Sequence, residues 1–227
     1  MEAIYRRTAT LPGTGVSDLL HLLQETASQH QTSLGMGRRE MYHRGLLWMI
    51  TRQKLIFYRT PVDGEEVTVS TWLSEGKHGM YLRQYEVSAA ADDVICRAAA
   101  IWTLVDAEKR VLSMTPLAAP FFQSDTQMER FLLLRLLRSM DTVQEYTFTV
   151  PAGYLDENGH MNNARYFDAV APILPKGGIL HTAQVDYHAE AREGENLTIG
   201  YAGADHSLLV QAWGDRGLCF RMKLEYE

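Results

Sequence analysis

Pro61-Val62-Asp63-Gly64-Glu65-Glu66-Val67-Thr68-Val69 is answered, 130 positions later, by Ala191-Arg192-Glu193-Gly194-Glu195-Asn196-Leu197-Thr198-Ile199. Both stretches read acid-Gly-Glu-x-aliphatic-Thr-aliphatic. The acid-Gly pair marks a tight turn, and the alternation after it marks a strand with one buried face. Working outward, each copy has the same neighbours. One strand precedes it (49–58, then 182–188) and two long strands follow (81–88 with 96–105, then 208–213 with 219–226). Each half also opens with a short strand (4–8, then 146–150) followed by a helix. The first helix is expected over 18–30, with Asp18 as N-cap and Leu19, Leu20, Leu22 and Leu23 on its apolar side. The second is expected over 162–170, and the first half carries an extra stretch near 35–45.

A helix followed by an antiparallel sheet, written twice, is an α+β arrangement in which each sheet wraps one face on its helix. Such a sheet alone leaves an exposed edge, and two copies can pair edge to edge into one continuous sheet. The expected organisation is an N-terminal repeat over 1–125, a linker helix over 126–140 and a C-terminal repeat over 141–227. The linker contains Gln127-Met128-Glu129-Arg130-Phe131, and its arginines form either a solvated face or a contact surface for an acidic partner.

Net charge is −6, from 22 Lys+Arg against 28 Asp+Glu. That argues against nucleic acid as the main partner, because phosphate binding calls for a basic surface. Cys96 and Cys219 lie far apart in apolar runs, so buried reduced thiols are expected. The histidines outside the motif below show no metal-ligand spacing, and no metal or other cofactor is implied. There is no signal-peptide pattern and no apolar run long enough to span a bilayer, so a soluble cytoplasmic protein is expected.

The chemistry concentrates in Asp156-Glu157-Asn158-Gly159-His160-Met161-Asn162-Asn163. Asp156-x-Asn158-x-His160 places a carboxylate, an amide and an imidazole within five positions. These can serve as base or nucleophile, as orienting group, and as proton carrier in acyl transfer. Backbone N–H groups at Asn162 and Asn163, at the expected helix start, would face a developing oxyanion. The plainer reading is a polar turn that caps a helix. The octapeptide alone supports both.

Across nearly its whole length the chain resembles the acyl-acyl-carrier-protein thioesterases. The resemblance is carried by Asp156–Asn163, by Leu19-Leu20-His21-Leu22-Leu23-Gln24-Glu25-Thr26, by Trp48-Met49-Ile50-Thr51-Arg52, by Trp102-Thr103-Leu104-Val105 and by Arg110-Val111-Leu112-Ser113-Met114-Thr115-Pro116. It implies a tandem hotdog fold, with a first half that chiefly holds a fatty acyl chain and a second half that carries catalysis. It makes Asp156, Asn158 and His160 catalytic. It adds Glu190 through Tyr187-His188-Ala189-Glu190, matching the family's Tyr-x-x-Glu pattern. Members often place Cys directly after that Glu, but Ala191 stands here, so a cysteine nucleophile at this site is excluded. Trp48, Met49 and Ile50 become candidates for acyl-chain contact, although most apolar strand residues only pack. The implied partner is acylated acyl carrier protein, with a homodimer left open. The rivals are an acyl-CoA thioesterase or dehydratase of the same fold and a non-catalytic acyl-thioester binder.

Overall fold

The two copies of the repeat fold into the same turn. In the first, Glu65 N–H donates to the Val62 carbonyl at 3.2 Å; in the second, Glu195 N–H donates to Arg192 at 3.1 Å. Gly64 and Gly194 take φ +76° and +74°, left-handed values that a side chain would strain. Each turn is also tied to the end of its opening strand. Leu11 N–H reaches the Glu65 carbonyl as Val150 N–H reaches Glu195, and Gly64 N–H reaches Leu11 as Gly194 N–H reaches Val150.

The computed structural model describes residues 4–74, 79–90, 92–114, 135–139, 141–175, 177–204 and 206–227. The chain divides into two units, Met1–Thr14 with Asp18–Leu134 and Gly15–Ser17 with Arg135–Glu227. The first contains β1 (Tyr5–Thr10), α1 (Val16–Ser33) from Asp18 onward, α2 (Arg38–His43), β2 (Leu46–Phe57), β3 (Glu66–Leu73), β4 (Met80–Ala90) and β5 (Asp93–Asp106). Its strands pair antiparallel in the order β1-β3-β4-β5-β2. The second contains β6 (Gln144–Thr149), a 3-10 turn (Ala152–Tyr154), α3 (Arg165–Val170), β7 (Leu180–Tyr187), β8 (Asn196–Ala204), β9 (Ser207–Gly214) and β10 (Gly217–Tyr226). Their order, β6-β8-β9-β10-β7, repeats the first sheet strand for strand. Two helix-and-sheet repeats of this kind make a tandem hotdog.

In the first unit α1 buries Leu19, Leu20, Leu22, Leu23 and Ala27, the apolar stripe expected from its spacing. Each buried leucine contributes about 1.5–3 kcal/mol of transfer free energy. The extra stretch near 35–45 folds as α2, whose Met41 joins Leu34, Met36, Leu46, Leu73, Tyr81 and Leu104 in one core cluster. Sheet alternation places Tyr81, Arg83, Tyr85 and Val87 of β4 on the buried side, with a charged residue among the aromatics. In the second unit the helix starts later than expected, at Arg165 rather than 162, and is only six residues long. Tyr166, Phe167, Ala169 and Val170 are its buried residues.

The expected linker helix falls mostly on 115–134, outside the described residues. Residues 135–139 are in neither helix nor strand. They lie as a strap on the second unit: Leu137 N–H donates to the buried Asp186 carboxylate, Gln184 Nε2 to the Arg135 carbonyl, and Arg221 Nη1 to the Leu137 carbonyl. Both cysteines are free and buried, Cys96 on β5 and Cys219 on β10. No helix among the described residues is long and apolar enough to cross a membrane.

Candidate active site

Asp156 builds its turn from within. Its Oδ1 accepts the N–H of Asn158 at 2.8 Å and of His160 at 3.3 Å, and its Oδ2 accepts Asn158 Nδ2 at 3.1 Å. The main chain closes the same loop: Asp156 N–H donates to the His160 carbonyl at 2.8 Å and Gly159 N–H to the Asp156 carbonyl at 3.0 Å. Gly159 supplies the left-handed step, at φ +75°. This is the side-chain-to-backbone turn for which Asp and Asn are suited. It fixes the direction in which His160 leaves the chain.

The turn is then pinned to the loop after β7. Met161 N–H donates to the Ala191 carbonyl at 2.8 Å, which brings residue 190 beside residue 160. His160 Nε2 lies 3.1 Å from Glu190 Oε2, with side chains 13% and 32% exposed. An imidazole against a carboxylate in a partly desolvated place is the arrangement that lets a histidine accept a proton while the acid stabilises the resulting cation. Asp156, Asn158, His160 and Glu190 are therefore gathered in one place in the second unit.

Asn162 and Asn163 do something other than expected. The Asn162 N–H is spent on the Tyr154 carbonyl at 2.8 Å, and its Oδ1 accepts the Ala164 N–H at 2.9 Å. The Asn163 carbonyl accepts the Tyr187 hydroxyl at 2.9 Å. Asn162 thus shapes the chain ahead of α3, and its N–H is not free for an oxyanion. Trp48, Met49 and Ile50 belong to β2 in the first unit. Their partners on β5 are Leu104, Thr103 and Trp102. Trp48 packs edge-on to Tyr81 and Trp102 and donates its Nε1 to the Met36 carbonyl at 3.2 Å. Ile50 is buried.

Two supporting residues, Tyr166 and Arg216, escaped sequence reasoning. Tyr166 of α3 accepts the Ala191 N–H at 3.3 Å, and its phenol is pushed up by burial. Cys219 accompanies it, accepting no catalytic role: burial raises its thiol to about 11. Arg216, in the β9–β10 turn, donates Nη2 to the Glu190 carbonyl and anchors that residue from its other side. Only Tyr166 left a signal, as a polar aromatic on the apolar side of a helix. In the first unit the position matching Glu190 is Thr60. Its neighbour Arg59 clamps the turn by binding Asp93 at 2.8 Å and Glu65 at 3.1 Å. Among the described residues no cluster of His, Cys, Asp and Glu could hold a metal.

The profile of the acyl-ACP thioesterase N-terminal domain matches residues 12–116, and that of the C-terminal domain matches 138–225. A palmitoyl-acyl carrier protein thioesterase of Gossypium hirsutum is 28% identical over 175 residues, 70% of this chain and 42% of that protein. An oleoyl-acyl carrier protein thioesterase of Coriandrum sativum is 25% identical over 222 residues, 84% of this chain and 57% of that protein. The chain thus spans less than two thirds of these curated relatives. Among solved structures, a 12:0-ACP thioesterase from Umbellularia californica superposes with TM-score 0.85 at 20% identity, covering 100% of this chain and 98% of that one. An acyl-ACP thioesterase from Bacteroides thetaiotaomicron gives 0.85 at 18%, covering 99% and 98%. These two likenesses speak to the fold.

Proposed function

The chain belongs to the acyl-ACP thioesterase family, and from that premise we propose that it hydrolyses fatty acyl thioesters of acyl carrier protein. The observation that carries this reading is the 3.1 Å contact between His160 and Glu190, beside a turn whose carboxylate is already occupied. His160 takes a proton from water, and Glu190 stabilises the imidazolium. The water oxygen bonds to the thioester carbon, and the carbonyl takes up negative charge. When the C–S bond breaks, the proton held by His160 passes to the departing thiolate. The products are a free fatty acid and the carrier thiol.

Asp156 is a poor candidate for direct attack. Both its oxygens accept hydrogen bonds from the turn, which lowers their nucleophilicity and fixes them toward the backbone. Its role in this reading is to hold Asn158 and His160 in place. Asn158 orients the water, and the Asn163 N–H remains the backbone candidate for the oxyanion. Trp48, Met49 and Ile50 contribute to a dry site for the acyl chain, where each buried CH₂ adds about 0.8 kcal/mol. A cytoplasmic location belongs to the same proposal and is tested by fractionation.

The deciding experiment incubates the protein with acyl carrier protein and coenzyme A thioesters of several chain lengths and follows thiol release. Release from the carrier-protein thioesters that disappears in His160→Ala and Glu190→Gln supports the proposal. Release confined to coenzyme A thioesters would replace the substrate, and no release above buffer from either would refute the activity.

A further inference from the structure

Arg83 is a charged residue buried where an apolar one is expected. It is 0% exposed on the inner side of β4, between Tyr81 and Tyr85. Its Nη1 is satisfied by His30 Nδ1 and by Thr71 Oγ1, each at 3.1 Å. Neither is an anion. Among the described residues no carboxylate meets the guanidinium, and its Nε and Nη2 have no protein hydrogen-bond partner. Burial lowers its pKa to about 10, so it stays protonated at neutral pH.

The same is true of its neighbours. Tyr85 Oη and Trp102 Nε1 are near enough to influence each other yet make no aligned hydrogen bond, and both residues are more than nine-tenths buried. The guanidinium carbon stands 5.6 Å from the centre of the Trp102 indole. Directly across the strand pair from Arg83 and Tyr85 sit Ala100 and Ala98, two small side chains opposite two long ones. Among the described residues these four polar atoms gather in the interior of the first unit with no aligned hydrogen bond, and three of them can only donate, the Tyr85 oxygen being the one acceptor among the four. A buried cation without a counter-charge costs several kcal/mol, a debt that functional sites carry for a ligand.

We propose that the Arg83–Tyr85–Trp102 cluster is a recognition site for an acceptor oxygen on the acyl chain, so that the preferred substrate carries an oxo, hydroxyl or carboxylate group along its length. The inference rests on the reading of the first unit as the holder of the acyl chain. An unsubstituted chain would leave the donors desolvated and unmet. A chain bearing oxygen at the matching depth meets them, with a charge-assisted bond from Arg83. Discrimination of this kind is strong because it penalises the analogue that lacks the group.

Calorimetric titration tests this without turnover. The probes are dodecanoate and its hydroxy, oxo and ω-carboxy derivatives, substituted at successive positions. At least one derivative should bind about ten-fold or more tightly than dodecanoate. Tyr85→Phe removes one donor at nearly constant volume, Trp102→Phe removes another with a smaller ring, and Arg83→Met removes the charge. Each should shrink that preference, read as the ratio of the derivative's affinity to that of dodecanoate in the same variant. Equal binding of dodecanoate and all derivatives by the native protein would overturn the inference. So would a preference that survives Tyr85→Phe and Trp102→Phe, which keep the proposal testable if Arg83→Met fails to fold. A protein that binds with this preference but releases no thiol would sink the hydrolase reading alone. Hydrolysis without the preference would sink the recognition site alone.

Discussion

Replacing Glu190 by Gln leaves the shape of the side chain and removes its charge. At the observed 3.1 Å, a full imidazolium–carboxylate pair is worth about 1.3 kcal/mol in bulk water and about 5 kcal/mol at an effective dielectric constant near 20. With His160 13% and Glu190 32% exposed, the environment lies between these limits, and about 3 kcal/mol is a reasonable working figure. The pair reaches full charge only when His160 has taken its proton, so the loss falls on the transition state. The expected result is a kcat about 150-fold lower with KM little changed. Initial rates of thiol release over a range of acyl-carrier-protein concentrations measure both constants, and circular dichroism checks the fold. A Glu190→Gln protein whose kcat stays within about threefold of the native value would refute the general-base role argued from this contact.

Other outcomes follow from the same geometry. Gly159→Ala meets open space but keeps φ +75°, so it should cost about 1–2 kcal/mol, read as a lower urea midpoint, with kcat reduced as His160 is misdirected. Single turnover in H₂¹⁸O should place the label in the fatty acid and none in Asp156; label in the Asp156 peptide by mass spectrometry would restore that residue as nucleophile. Burial, reinforced by the Arg83 charge, lowers His30 from 6.5 to about 4. Between those values the unfolded chain takes up a proton that the folded chain refuses. Stability should therefore fall on acidification from about 6.5 toward 4, and His30→Gln should flatten the melting temperature across that window. Leu23→Ala, at a fully buried position on α1, should destabilise by about 2–5 kcal/mol in chemical denaturation.

Local chemistry made the repeat readable. Asp63-Gly64-Glu65 and Glu193-Gly194-Glu195 specify their turns within a few residues, and the alternation after them specifies β3 and β8 whatever the rest of the chain does. The Asp156 turn was legible for the same reason. The second-unit helix was misjudged because Asn162 spends its side chain and its N–H before the helix begins, which delays the start to Arg165. Glu190 could be matched to His160 only through resemblance, since a single backbone bond, Met161 to Ala191, sets their meeting. Arg216 left no trace at all. Its value is a bond to a main-chain carbonyl, which any residue type in position 190 would offer. Arg83 did leave one: period-two alternation places it with Tyr81 and Tyr85, a charge on a side that is otherwise apolar.

The two sequestered sulfurs of β5 and β10 have a practical corollary. Reaction with chromogenic disulfide reagents needs the ionised form, and burial raises both groups, Cys219 to about 11 and Cys96 further still. At mildly alkaline pH the native protein should contribute no colour of its own. Any fast phase at high enzyme concentration then counts carrier molecules released in the first catalytic cycle, whereas a slow rise of two equivalents per chain would signal unfolding.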